Sequence, residues 1–211
     1  MLFLAVLASG NGSNLQAISH AIENQELHAR IQLVLSNNSQ AGALSFAREQ
    51  GIPAVHLSTK VIPQENQFIQ SMLSVFSEHN VNFIALAGYM KLVPPEVVRE
   101  YRNRITNIHP ALLPKFGGAG MYGMRVHEAV IGSGETESGA TVHLVDEAYD
   151  RGPIVLQRRV AVSPTDTPDS LQKKVLQVEH QLYPEALQLF AAKRVVIENT
   201  TLSILPAAHS S

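Results

Sequence analysis

Leu2-Phe3-Leu4-Ala5-Val6-Leu7-Ala8-Ser9-Gly10-Asn11-Gly12-Ser13-Asn14 is the stretch from which the rest of the chain is read. Leu2–Ala8 is apolar and short, with no positive residue before it, so it reads as a buried strand rather than a secretory leader. Ser9–Asn14 then joins that strand to a helix beginning near Ser13. Glycines let the backbone turn sharply and approach a ligand closely, and free amides at a helix start point outward at an anion. The alternative is a plain strand-to-helix turn with Ser13 as the cap.

Working outward, the same alternation recurs. Ile31–Leu35, Ala54–Leu57, Phe83–Ala87 and Arg104–Ile108 read as further strands. Between them Ser13–Asn24, Ala41–Gln50, Gln64–Asn80 and Pro94–Tyr101 read as helices, and Phe68, Met72, Val75 and Phe76 form a stripe at helical spacing. Strand–helix alternation predicts a doubly wound, mostly parallel α/β sheet, whose ligands sit beyond the carboxyl ends of the strands. The pattern changes after about residue 110. Pro110–Gly123 is glycine- and proline-rich and reads as a loop over the sheet, and Arg125–Ile131 as a short helix. Ala140–Val145 and Ile154–Val162 read as an antiparallel hairpin. A long helix follows from Thr167, as cap, with Pro168 at the first position, to about Ala192; Pro184 predicts a kink or break in it. The tail beyond Asn199 reads as frayed.

Composition sets the outer bounds. With 211 residues, 45% hydrophobic and 16% charged, the chain suits one globular domain. A chain of this length buries roughly 70% of its unfolded surface, so no staple is needed. Its net charge of −2 gives no general attraction to nucleic acid or to an acidic membrane. The absence of cysteine excludes disulfides, thiolate metal sites and cysteine nucleophiles, and fits a reducing, cytoplasmic setting. No run approaches the roughly eighteen apolar residues that a membrane span requires.

Which anion would the first turn hold? A dinucleotide fingerprint wants a third glycine where Leu15 stands, and an acidic residue where the second strand runs into Ser36-Asn37-Asn38. A P-loop would need a Gly-Lys-Ser/Thr ending, which is missing. A single phosphate ester is the better fit.

Asn107-Ile108-His109-Pro110 and Asp150-Arg151-Gly152-Pro153 carry the chemistry. On an extended backbone Asn107 and His109 project from the same side, and Pro110 holds His109 extended. Asp150 shoulders a tight turn; its alternative reading is ordinary turn chemistry. An amide, an imidazole and a carboxylate make a set for acyl transfer: the amide donates to an oxyanion, the imidazole moves protons, the carboxylate orients the imidazole. No serine or cysteine nucleophile accompanies them, so the substrate would bring its own. His127-Glu128 lacks the second histidine of a metalloprotease helix, because Ile131 stands in its place, and the nine histidines show no ligand spacing. No metal is expected.

Together, Ala8-Ser9-Gly10-Asn11-Gly12-Ser13-Asn14-Leu15-Gln16-Ala17, Leu86-Ala87-Gly88-Tyr89-Met90-Lys91 and Asn107-Ile108-His109-Pro110-Ala111-Leu112-Leu113-Pro114 closely resemble the phosphoribosylglycinamide formyltransferases. Gly139-Ala140-Thr141-Val142-His143, running on to Asp150-Arg151-Gly152-Pro153, completes the likeness. The resemblance implies a single Rossmann-like domain over residues 1–195, with a C-terminal hairpin and long helix. Residues 1–110 would be its phosphate-binding half and 111–195 would complete the folate site; 196–211 would be a tail. It implies formyl transfer from 10-formyltetrahydrofolate, as co-substrate, to the primary amine of glycinamide ribonucleotide in purine synthesis.

By the same resemblance, Asn107, His109 and Asp150 are the catalytic positions, His109 being held protonated by Asp150. Gly10, Asn11, Gly12, Ser13, Asn14 and Glu179 would bind the ribonucleotide. Met90, Lys91, Leu92 and Val93, with Val145, Asp146, Glu147, Ala148 and Tyr149, would wall the folate. The partners implied are these two small molecules, without nucleic acid or membrane, for a monomer or homodimer. Two departures stand out. Gly117–Gly123 is longer and more glycine-rich than in many relatives, and reads as a mobile flap. An arginine common near the third helix is replaced around Gln64, leaving Lys60 as the nearest cation.

Hydrolysis of formyltetrahydrofolate and formylation of methionyl-tRNA use the same trio. The first would call for an added amino-terminal domain, the second for a carboxyl-terminal domain and a basic surface. A non-enzymatic phosphosugar-binding module would explain Gly10–Asn14 but leave the trio without a purpose.

Overall fold

The computed structural model describes residues 1–147, 150–198 and 201–206. Its main sheet holds β1 (Leu2–Leu7), β2 (Ala29–Ser36), β3 (Ala54–His56), β4 (Phe83–Leu86), β5 (Ile105–His109), β6 (Glu137–Leu144) and β7 (Ile154–Ala161). The strand order is β3-β2-β1-β4-β5-β6-β7. The first five run parallel, while β6 pairs antiparallel with both β5 and β7. The order reverses between β1 and β4, and such a switch point opens a crevice beyond the strand ends.

Burial on both faces explains why β1 reads as one apolar run. Leu4 and Val6 pack toward α1 (Ser13–Glu23), α2 (Gly42–Glu49) and α6 (Pro168–Ala191). Ala5 and Leu7 pack on the opposite face toward α3 (Glu65–Glu78) and α4 (Pro95–Glu100). In α3 the expected stripe is present, with Phe68, Met72 and Phe76 buried. α5 (Met124–Gly132) follows the glycine-rich loop and rests against α6.

α6 begins as expected. Thr167 accepts the Ser170 amide and Ser170 returns a hydroxyl to the Thr167 amide, a reciprocal capping box, with Pro168 next. The break expected at Pro184 does not occur, and α6 is continuous through it. Leu182, Tyr183, Pro184, Ala186 and Leu187 are all buried there. Burying that face stabilises the helix by more than the single backbone hydrogen bond the proline removes. Tyr183 is also tied across the sheet, its hydroxyl donating to the carbonyls of Leu86 (3.1 Å) and Thr106 (3.0 Å).

The tail expected to be frayed is corrected over Thr201–Ile204, which forms β9 and pairs with β8 (Val195–Glu198) in a second, two-stranded antiparallel sheet, from Val195↔Ile204 to Glu198↔Thr201; residues 207–211 lie outside the described residues. The sheet's alternating apolar residues Ile197 and Leu202 pack against the main core. Among the described residues no helix is long and apolar enough to cross a membrane.

Candidate active site

The first turn departs from the plain-cap alternative. Gly12, not Ser13, is the N-cap of α1, at φ 78°, and no side chain caps the helix. The left-handed φ favours glycine, and a Cβ there would lie 2.9 Å from the Cα of Ala43. The uncapped amides of the first turn are thus left for a ligand. Ser9 braces this turn against the loop after β4: its amide donates to the Gly88 carbonyl (3.0 Å), and its hydroxyl accepts the Met90 amide (2.8 Å).

Strand pairing builds the other end. Asn107 and His109 stand two apart on β5, and register sets His143 of β6 opposite Asn107. Asp150 enters from the β6–β7 turn with φ 54°, a conformation aspartate tolerates. That turn lies tight on β6: a Cβ on Gly152 would come within 1.9 Å of the Leu144 carbonyl oxygen, so only glycine fits.

Asn107, His109 and His143 share the Asp150 carboxylate. Asn107 Nδ2 lies 3.1 Å from His143 Nε2 and donates to Asp150 Oδ1 at 3.5 Å. His143 Nδ1 donates to the Leu144 carbonyl at 2.9 Å. His143 Nε2 lies 3.4 Å from Asp150 Oδ1, and His109 Nδ1 lies 3.7 Å from Asp150 Oδ2. His109 Nε2 donates to the Phe116 carbonyl at 2.7 Å, and the Gly118 amide donates to Asp150 Oδ2 at 2.9 Å. The glycine-rich flap is therefore latched onto both the imidazole and the carboxylate.

Burial raises the Asp150 pKa, but the hydrogen bond with His143, the two imidazoles and the Gly118 amide outweigh it and hold the carboxyl below its ordinary range. For His109 the balance is reversed. Burial lowers its pKa, against the opposing pull of Asp150 and the Phe116 carbonyl, and the net shift is downward. At the far end the Asn14 Nδ2 donates to Glu179 Oε2 at 2.8 Å. Burial raises the Glu179 pKa to about 7, the Asn14 amide opposing it.

All these residues face one cavity of about 570 Å³. It is lined by Gly10–Asn14 and Glu179 at one end, by Asn107, His109 and Asp150 at its centre, and by Met90–Val93 and Val145 at the other. Asp146 and Glu147 do not line it, and Glu147 reaches Arg99 instead (3.8 Å). Ala148 and Tyr149 lie outside the described residues.

Residues 3–187 match the family model described as formyl transferase. The chain belongs to the formyl transferase family. Among its formyl transferase relatives is the chloroplastic phosphoribosylglycinamide formyltransferase of Vigna unguiculata, 42% identical over 193 residues, spanning 92% of this chain and 62% of that one. The chain thus covers less than two thirds of that relative's length. The Escherichia coli phosphoribosylglycinamide formyltransferase is 33% identical over 192 residues, 91% of this chain and 88% of its own. The crystal structure of glycinamide ribonucleotide transformylase 1 from Symbiobacterium toebii superposes with a TM-score of 0.91 at 37% identity, covering 98% and 95% of the two chains. The doubly wound, Rossmann-like fold is that of these formyl transferases.

Among the cavity residues given no role from sequence are His143 and His127. His143 sits within an apolar run, and only the β5–β6 register brings it to Asn107. His127, weighed as a metal ligand, instead lines this cavity from α5, its pKa lowered to about 4 by burial and by His109. The Glu128 beside it is exposed.

Proposed function

We propose that this chain transfers the formyl group of 10-formyltetrahydrofolate to the primary amine of glycinamide ribonucleotide, in purine synthesis. The observation that carries this reading is the shared cavity, which joins an uncapped helix start, suited to a phosphate ester, to an Asn107–His109–Asp150 cluster; its lining holds no cysteine, and its one serine, Ser13, stands in the phosphate turn rather than in the cluster. A site that seats a phosphate at one end and an acyl-transfer set at its centre suits a substrate that carries both the phosphate and the nucleophile. The relatives named as phosphoribosylglycinamide formyltransferases support the same assignment.

In this mechanism Gly10–Asn14 seat the ribonucleotide phosphate, and Met90–Val93 with Val145 hold the folate, so both reactants are positioned before chemistry begins. Nitrogen attack on the formyl carbon forms the new C–N bond and places negative charge on the formyl oxygen. The Asn107 amide stabilises that charge, together with the His109 Nε2–H, redirected from the Phe116 carbonyl. Loss of one such donor typically costs about 3–4 kcal/mol of barrier. Asp150, held ionised, relays the amine's proton toward the folate nitrogen as the old C–N bond breaks. Asn107 and His143 hold Asp150 in place for that relay. Both partners are small molecules; neither nucleic acid nor membrane enters the reaction.

The test is an incubation with 10-formyltetrahydrofolate, with and without glycinamide ribonucleotide. The expected result is release of tetrahydrofolate only with the amine, matched one for one by formylated product. Amine-independent deformylation would overturn the reading in favour of a hydrolase, and binding without turnover in favour of a phosphosugar-binding module.

A further inference from the structure

Asn14 and Glu179 form a buried pair that is only half satisfied. Both residues are 7% exposed. Asn14 spends its Nδ2 on Glu179 at 2.8 Å, while its Oδ1 is buried with no hydrogen-bond partner among the described residues. A buried amide oxygen without a donor costs roughly 1–3 kcal/mol, and this one stands at the turn where amides of α1 face the cavity. With Glu179 ionised, the site presents an acceptor and a nearby carboxylate where an anion is to be received. The arrangement is the wrong one for a phosphate.

We infer that Glu179 takes up a proton when the phosphate ester binds, and that this proton turns the Asn14 amide toward the ligand. One proton moves from solvent to a Glu179 oxygen, and the amide rotates half a turn about its terminal bond. The new Glu179 O–H donates to Asn14 Oδ1, which satisfies the orphaned acceptor, and Nδ2 is released to donate to a phosphate oxygen. No other bond changes. Glu179 acts here as a positioning residue through Asn14.

The surroundings fit. α6 packs on α1, α5, β6 and β7. From these elements, α1 offers Asn14, α5 offers His127, and β6 with its following turn offers His143 and Asp150 to the same cavity. On β7, Arg158 and Arg159 are engaged with Glu185 and Glu137. Of these groups only the Asn14 amide acts on the Glu179 carboxyl, so burial dominates and its pKa of about 7 puts the proton within reach near neutrality.

This inference rests on reading Gly10–Asn14 as the phosphate seat, and the experiment separates the two. Binding of ribose 5-phosphate and of glycinamide ribonucleotide is followed by calorimetry in buffers of different ionisation enthalpy, between pH 6 and 9, for the wild type, Glu179→Gln and Asn14→Ala. The carboxamide of Glu179→Gln imitates the protonated acid but cannot titrate. At pH 7 the wild type is expected to take up about half a proton more than Glu179→Gln with the same ligand. Above pH 7 its affinity should weaken relative to that variant by roughly tenfold per pH unit. Asn14→Ala should also lose the extra proton uptake, a second route to the answer if Glu179→Gln does not fold. Equal proton uptake and parallel pH profiles in the three proteins would overturn the inference while leaving the phosphate seat standing. Failure of the wild type to bind either ligand would overturn the seat and the inference together.

Discussion

The centre and the Asn14 end of the cavity each hold a carboxyl group, yet the two pKa values shift in opposite directions. The Asp150 side chain is 11% exposed and Glu179 is 7% exposed. Asp150 is met by the Gly118 amide, the Asn107 amide and two imidazole rings, and its pKa is lowered. Glu179 is met by one amide, and its pKa is raised to about 7. Burial raises both pKa values; at Asp150 the hydrogen bonds and the two imidazoles outweigh it, and at Glu179 the single amide does not. In the proposed mechanism the centre relays a proton, which suits the lowered pKa of Asp150, and the Asn14 end receives the phosphate, which suits a Glu179 carboxyl poised near neutrality.

The largest effect that would break this contrast is at the centre. Asp150→Asn preserves shape but removes the charge around which Asn107, His109 and His143 are arranged. Steady-state kinetics should show kcat lower by about 10²–10⁴-fold with KM changed only a few-fold. Equal losses in kcat and in substrate affinity would mean that Asp150 shapes the pockets rather than the reaction.

At the other end the expected effect is on stability, with the sign set by linkage. A carboxyl at about 7 in the folded protein and at the ordinary 4.5 unfolded binds more protons when folded throughout that window. Stability from this group therefore falls as pH rises from 4.5 to 7, then levels off, by about 3 kcal/mol in all. Denaturant titrations should show Glu179→Gln removing this slope; a slope unchanged in the variant would mean the carboxyl is ionised when folded. Asp150 has the opposite sign. Its lowered pKa contributes stability above the ordinary 3.8 that is lost as pH falls below it, so the two windows are separable.

The smallest expected effect sharpens the geometry of the phosphate end. Gly12→Ala forces a side chain into a left-handed φ and against Ala43. It should cost about 1–2 kcal/mol of stability and weaken phosphate-ester binding by more than an alanine at Gly10, where a Cβ would meet nothing within 4 Å. Equal behaviour of the two variants would mean that the turn does not shape the seat.

How far each region was legible follows from where its parts lie in the chain. The phosphate turn is local: Gly10–Asn14 joins β1 to α1 within one stretch, so composition and spacing suffice to read it. Its carboxyl partner is not local, since Glu179 lies 165 residues from Asn14, and no spacing rule connects them. The centre mixes both. Asn107 and His109 were readable because alternation on one strand puts them on one side. His143 was not, because an antiparallel register is set by the whole β5–β6 packing and not by the residues around it. Thr201–Ile204 carries β-branched residues enough for a strand, but the Pro-Ala-Ala-His-Ser-Ser ending gives everything beyond Asn199 a frayed reading.

By itself the amino-acid sequence determined the alternation of strands and helices, the glycine turn, the capped start of α6 and the residue types of an acyl-transfer set. These are properties of neighbours along the chain, governed by backbone freedom, side-chain periodicity and capping. Only the tertiary structure decided that α6 passes unbroken through Pro184, that the flap ties Phe116 and Gly118 to His109 and Asp150, and in which direction each buried carboxyl shifts. The reason is that hydrophobic burial and electrostatics depend on what surrounds a group in space, and those surroundings come from segments that the chain order keeps far apart.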